Sequence, residues 1–275
     1  MRLHAFGWEV VLRPEQGATV AALRQGGRDL IVPLAEGADP TKGFHGGFWM
    51  GPWTNRLDGG RITVAGQTWQ MPINRPAEDN ALHGFFREHP WRVLMATSDA
   101  AALALAFATP PFQGEVRLDL ALSEGALRLA LRVTNTGDVA TPMGFGWHPF
   151  FTRHAGTRLR FRATTRFGRD ARNLAIDPAP SEGLDTADLD GLDTHFAGWD
   201  GVARLQRPDG ALLLRAEGAL ARNLQVFSPQ AADFVCVEPV SHAPDAVNNA
   251  MVAAHGPMAA LPPGETLAGR LTLIG

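Results

Sequence analysis

The chain has 275 residues, 45% hydrophobic and 19% charged, enough for one large core or two small ones, and all-β sandwiches reach this size as one unit. A formal net charge of −3, without a basic face or an acidic block, argues against a nucleic-acid partner. Only Lys42 of the 25 basic residues is a lysine, which leaves Schiff-base and pyridoxal chemistry a single candidate in a turn-like stretch, and the lone Cys236 excludes an internal disulfide.

In chain order, the first strand candidates are Trp8–Leu12 and Thr19–Leu23. Arg61–Val64 and Thr68–Met71 flank Ala65-Gly66-Gln67, which reads as a hairpin with a three-residue loop. Trp91–Thr97 and Leu103–Ala108 follow. Glu115–Leu122 and Ala126–Thr134 flank Ser123-Glu124-Gly125; in the second of these, Leu127, Leu129, Leu131 and Val133 share one face, the mark of a half-buried antiparallel strand. After Leu159–Ala163, residues 170–200 are rich in Asp, Gly and Leu and read as an irregular excursion. Ala203–Arg207 and Ala211–Ala216 flank the turn Pro208-Asp209-Gly210, and Asn223–Ser228, Phe234–Glu238 and Thr266–Ile274 complete the set. So many strands on short turns predict an all-β fold, a large antiparallel β-sandwich, with residues 1–275 as a single domain. No apolar run nears the roughly twenty residues of a spanning helix. No secretory signal is visible in Met1 to Gln16, so a cytoplasmic protein is expected.

Four segments set polar residues among aromatics and prolines: Phe48 to Leu57, Asn80 to Trp91, Gly144 to Phe151, and Phe234 to Asn248. In the last, an apolar strand ends in Glu238 and is stopped by Pro239. A carboxylate closing such a run is either a partly desolvated base or an ordinary exposed strand end. His148, between Trp147 and Pro149, is either a catalyst or a hydrogen-bonded core histidine. His83 precedes Gly84, where a backbone or a ligand can come close. Arg56, near Trp49 and Trp53, is a stacked structural residue or a fork for polar ligand groups. His83 and His89 lack the spacing of a metal site, and no phosphate loop or Gly-x-Ser-x-Gly motif is present, so neither metal nor nucleotide cofactor is expected.

Together these segments resemble the aldose 1-epimerase family, especially its shorter bacterial members. Asn55-Arg56, Leu82-His83-Gly84, Trp147-His148-Pro149-Phe150-Phe151, Leu192-Asp193-Thr194-His195-Phe196, and Glu238-Pro239 followed by Asp245-Ala246-Val247-Asn248 match its motifs in the family's order. The resemblance implies a galactose mutarotase-like supersandwich and a small-molecule sugar substrate, with no cofactor. It implies Glu238 as the base at the anomeric hydroxyl and His148 as the acid at the ring oxygen. His83, Arg56 and Asp193 would hold the sugar, and Trp53, Trp147 and Phe150 would suit its apolar faces. One departure is Phe85-Phe86-Arg87, where longer members continue with glycine and a charged loop. Two other readings are a hexose-6-phosphate epimerase, with Arg87 and Arg75 at the phosphate, and a non-catalytic carbohydrate-binding sandwich. Two arginines fall short of a phosphate clamp, so a neutral aldose is the expectation.

Overall fold

The computed structural model describes residues 1–275 and places nearly all of its regular structure in two large antiparallel sheets. The twelve-stranded sheet runs Arg2–Ala5, Trp8–Arg13, Thr19–Gln25, Gly47–Met50, Gly146–Pro149, Phe234–Val240, Asn223–Ser228, Leu192–Ala197, Thr165–Arg169, Ala175–Pro180, with Arg28–Asp29 and Phe151–Thr152 paired alongside. The nine-stranded sheet runs Arg92–Ala96, Ala100–Thr109, Phe112–Ser123, Ala126–Asn135, Thr266–Ile274, Gly210–Gly218, Val202–Arg207, Arg158–Phe161, Leu184–Thr186. The fold is the expected all-β sandwich.

Alternation in the strands decides what lies between the sheets. Leu127, Leu129, Leu131 and Val133 are buried while Arg128, Arg132 and their neighbours face out. From the other sheet, Trp49, Trp147, Leu224, Val226, Val235 and Val237 enter the same core. Burying each such side chain contributes about 1.5–3 kcal/mol. Because side chains alternate, the residues between them (Phe48, His148, Gln225, Phe227, Cys236 and Glu238) must face the sheet's other side. That face carries the site.

Several local readings change. All three hairpins close on two residues, since Val64 pairs with Gln67, Ser123 with Ala126 and Arg207 with Gly210. Ala65 and Gly66 both take positive φ, 49° and 78°, the twist that suits a two-residue hairpin. Residues 170–200 hold the strands Ala175–Pro180, Leu184–Thr186 and Leu192–Ala197, two at sheet edges and the third well inside. Burial does not alternate residue by residue along Ala175–Pro180 or Leu192–Ala197, so the period-two signal is missing from both. Pro239 does not stop its strand, which continues to Val240. On one side that strand pairs with Asn223–Ser228. On the other it pairs only near Val235 and at Val240, and a proline is accommodated where the ladder is interrupted.

Candidate active site

A cavity of about 310 Å³ lies on the outer face of the twelve-stranded sheet, at the small end of the range for ligand pockets. Its floor comes from adjacent strands: Phe48, then His148, then Glu238, Gln225 and Asp193. Arg56 and Leu82, paired across a two-stranded ribbon, form a wall with His83. Thr41, Gly43, Phe44 and Arg87 complete the lining from loops and a short 3-10 turn. All five residues singled out in the sequence (Arg56, His83, His148, Asp193 and Glu238) therefore line one cavity.

Glu238 and His148 touch, with Nε2 of His148 3.3 Å from Oε1 of Glu238, and both side chains are buried. Glu238 is thus no exposed strand end. Burial, and then the charge of Asp193, pushes the Glu238 carboxyl well above the usual carboxylate range. Burial, and then the Arg87 guanidinium, pulls His148 down to about 3. The His148 ring stacks on Phe48 at 4.6 Å between centroids and has the His83 ring edge-on at 5.2 Å, which fixes its orientation.

His83 adopts a positive φ of 66°, and its Nδ1 accepts the Asn55 N–H at 3.2 Å. That contact leaves the proton of the neutral ring on Nε2. Gly84, also at positive φ (63°), lies against the Gly51–Pro52 backbone, so the partner its small size admits is another chain segment. Phe85 and Phe86 donate their N–H groups to the Gly51 carbonyl at 2.7 and 3.0 Å. A methyl group at position 84 would collide with that carbonyl. Gly84→Ala is therefore expected to destabilise the fold by about 2–4 kcal/mol, a fall in Tm of about 5–15 °C. Calorimetry checks this; an unchanged Tm would mean the two segments separate freely.

Arg56 is neither stacked on tryptophan nor an empty fork. Its Nε and Nη2 donate to the two carboxylate oxygens of Glu78 at 2.7 and 3.2 Å, while Nη1 donates to Asn55 Oδ1 at 3.3 Å. Asp193 is paired with Arg169 and accepts Gln225 Nε2 at 2.7 Å. Burial raises its carboxyl above the ordinary value. The segment Asp245 to Asn248 is a brace: Asp245 donates its N–H to the Arg56 carbonyl at 3.1 Å and accepts the Asp58 N–H at 3.0 Å. Trp53 and Trp147 do not reach the cavity. Both are buried in the inter-sheet core, Trp53 stacked on Phe112 and Trp147 on Trp49. Phe150 does line the cavity, with Phe44, Phe48 and Phe227 in place of the tryptophans.

His148, Cys236 and Glu238 also bring potential metal-ligating atoms within 4.8 Å of one another. One feature suits a proton-sharing pair better than a ligand set. Nδ1 of His148 has no hydrogen-bond partner, whereas a metal-bound imidazole is oriented through its second nitrogen. His89 is exposed and outside the cavity.

The profile of the aldose 1-epimerase family matches residues 7–273, and the chain belongs to that family. The uncharacterized Escherichia coli K12 protein YphB is 29% identical over 242 residues, 82% of each chain. Among solved structures, a galactose mutarotase-like protein from Clostridium acetobutylicum superposes with TM-score 0.87 at 17% identity, covering 99% of this chain and 93% of that one. The galactose 1-epimerase of Lactobacillus acidophilus superposes with TM-score 0.77 at 17% identity, covering 98% and 91%. At these identities the structures establish a shared fold. No helix of the chain is long and apolar enough to cross a membrane.

Proposed function

We propose that residues 1–275 act as one domain, an aldose 1-epimerase that interconverts the α and β anomers of a free aldose by general acid–base ring opening and reclosure. The observation that carries this reading is the buried His148–Glu238 contact at 3.3 Å inside a cavity lined by both polar groups and phenylalanines. Asn55, Arg56, Asp193 and Gln225 supply donors and acceptors for ring hydroxyls, His83 donates from Nε2, and the phenylalanines cover apolar C–H faces.

The chemistry balances on one proton. In the working form Glu238 is a carboxylate and His148 an imidazolium. Glu238 takes the proton from O1, the C1–O5 bond breaks as the C1 carbonyl forms, and His148 gives its proton to O5. The pair is then a neutral acid beside a neutral imidazole. Burial favours that state, because it penalises both charged forms. Rotation about C1–C2 presents the other carbonyl face, and the reverse transfers reclose the ring. The working form has the same proton count as the neutral pair and is reached by moving one proton between touching groups.

This fixes the pH dependence. A histidine near its ordinary 6.5 would gain a second proton as pH falls and leave the pair without a base. With His148 lowered to about 3, the pair keeps a single proton through mildly acidic solution. As pH rises through the raised pKa of Glu238, the pair surrenders the shared proton and activity falls. Anomer-exchange NMR on free aldoses should therefore show catalysis above the spontaneous rate. Its kcat/KM should not fall as pH is lowered from about 7 to about 5, and should decline as pH rises through the raised pKa of Glu238. A fall of more than about tenfold across that acidic span would show an imidazole of ordinary basicity instead.

A further inference from the structure

We infer that Arg87 seats a carboxylate carried by the sugar, so that the aldose this site turns over is a hexuronate. The inference rests on the proposed epimerase reading and narrows its substrate class.

Two of the cavity's arginines, Arg75 and Arg87, make no ion pair, and Arg75 is exposed at the rim; the other charges pair off. Arg56 is held by Glu78, Arg169 by Asp193, and Glu238 by His148. Arg87 lines the same cavity, and its guanidinium carbon sits 4.5 Å from the centre of the Phe48 ring. It makes no ion pair, and its Nε is buried without a hydrogen-bond partner. Glu88 and Asp39 are the acids whose charge it feels, and neither forms a salt bridge with it. The short turn Phe86–Glu88 that carries it is anchored by Phe86, fully buried among aromatic rings. A desolvated guanidinium without a counterion is costly, and a neutral sugar would leave it so.

Position identifies which carbon of the sugar bears the charge. Arg87 lies over the Phe48 ring, and that ring stacks on His148 at 4.6 Å and meets His83 edge-on at 5.6 Å, so the guanidinium is one ring away from both histidines. In the proposed mechanism His148 serves the ring oxygen. That oxygen is bonded to C5, and C5 carries C6, so an oxidised C6 puts its carboxylate next to the acid and within the reach of Arg87. A carboxylate matches the donor fork of one guanidinium, two parallel N–H groups to two oxygens. A phosphate dianion brings a second charge and a third oxygen. Its only further cation here would be Arg75, which is exposed at the rim, and Lys42 does not line the cavity. Pairing Arg87 also relieves the positive field that holds His148 down, so the anion aids the formation of the imidazolium.

The test is a rate panel at neutral pH, following optical rotation of freshly dissolved anomers. Glucuronate and galacturonate should exceed glucose and galactose in kcat/KM by about 10- to 100-fold. Arg87→Met keeps the chain length and the contact with Phe48 but removes the charge. It should bring the uronate-to-neutral ratio close to one, and Arg87→Lys, which keeps charge without the fork, should fall between. Equal rates on glucose and glucuronate in the wild type would overturn the inference, as would a preference for glucose 6-phosphate. So would a ratio that survives Arg87→Met, or, if that variant does not fold, one that survives Arg87→Lys undiminished. If the wild type exceeds the spontaneous rate on no sugar, the epimerase reading fails, and calorimetry then decides the subsite alone. Tighter binding of glucuronate than of glucose, weakened in the Arg87 variants, sustains it; equal binding sinks it.

Discussion

Replacing Glu238 by glutamine is expected to lower kcat by about 10²–10⁴-fold while the affinity for the sugar changes little. The amide has the shape of the acid and a carbonyl oxygen at the same place, so the floor of the cavity keeps its form. It cannot take the proton from O1. Stability should hold or rise slightly, because the buried carboxyl is already pushed toward its neutral form and an amide has no charge to desolvate. The assay is the decay of optical rotation of a fresh α-anomer, corrected for spontaneous mutarotation, with Tm as a check on folding. A variant that keeps the wild-type rate would move the base to another carboxylate. Asp193 is the nearest alternative, but it is already engaged by Arg169 and Gln225, which leaves it poorly free to accept a substrate proton.

Much of this arrangement could be read from the chain, and what could not has a common cause. Strands such as Ala126–Asn135 declare themselves through alternation, which is a local property. The parity of the Gly146–Pro149 strand was equally legible. Adjacent residues face opposite sides, so Trp147 and His148 could not both meet the sugar, and Trp147 takes the core. By contrast, the environment of Glu238 is set by neighbours far away in sequence. Gln225 lies opposite it on one side, and the ladder opens toward His148 on the other. No pattern within Phe234–Val240 carries that information. Arg56 is similar, since its fork is filled by Glu78 from a different segment, and the residues around Arg56 left stacking and ligand binding equally open. Gln225 and Phe227 were missed as lining residues although Asn223–Ser228 was recognised as a strand. Their face follows once Leu224 and Val226 are assigned to the core. Phe44 sits in an irregular loop where neither period applies.

His148→Asn should lower kcat by a comparable factor, about 10²–10⁴, and the double variant with Glu238→Gln should lose less than the product of the two. Asparagine can still donate a hydrogen bond to the ring oxygen, but it cannot transfer a proton to it. With the acid gone, C1–O5 cleavage would have to expel an unprotonated alkoxide, so the carboxylate's ability to take the O1 proton gains little by itself. With the base gone, an imidazolium would face a neutral hydroxyl with nowhere for its proton to go. Each single change therefore removes most of what the pair does jointly, and the second has little left to remove. Full multiplicativity in the cycle, measured as kcat on one aldose, would mean that the two groups act in separate steps. The pH profile distinguishes the cases further. In His148→Asn the residual rate should rise as pH increases and Glu238 ionises, because base catalysis alone remains, whereas the wild type falls over the same rise as the shared proton is lost. A wild-type-shaped profile in that variant would assign the proton on the ring oxygen to His83, whose ring stands edge-on to His148 at 5.2 Å.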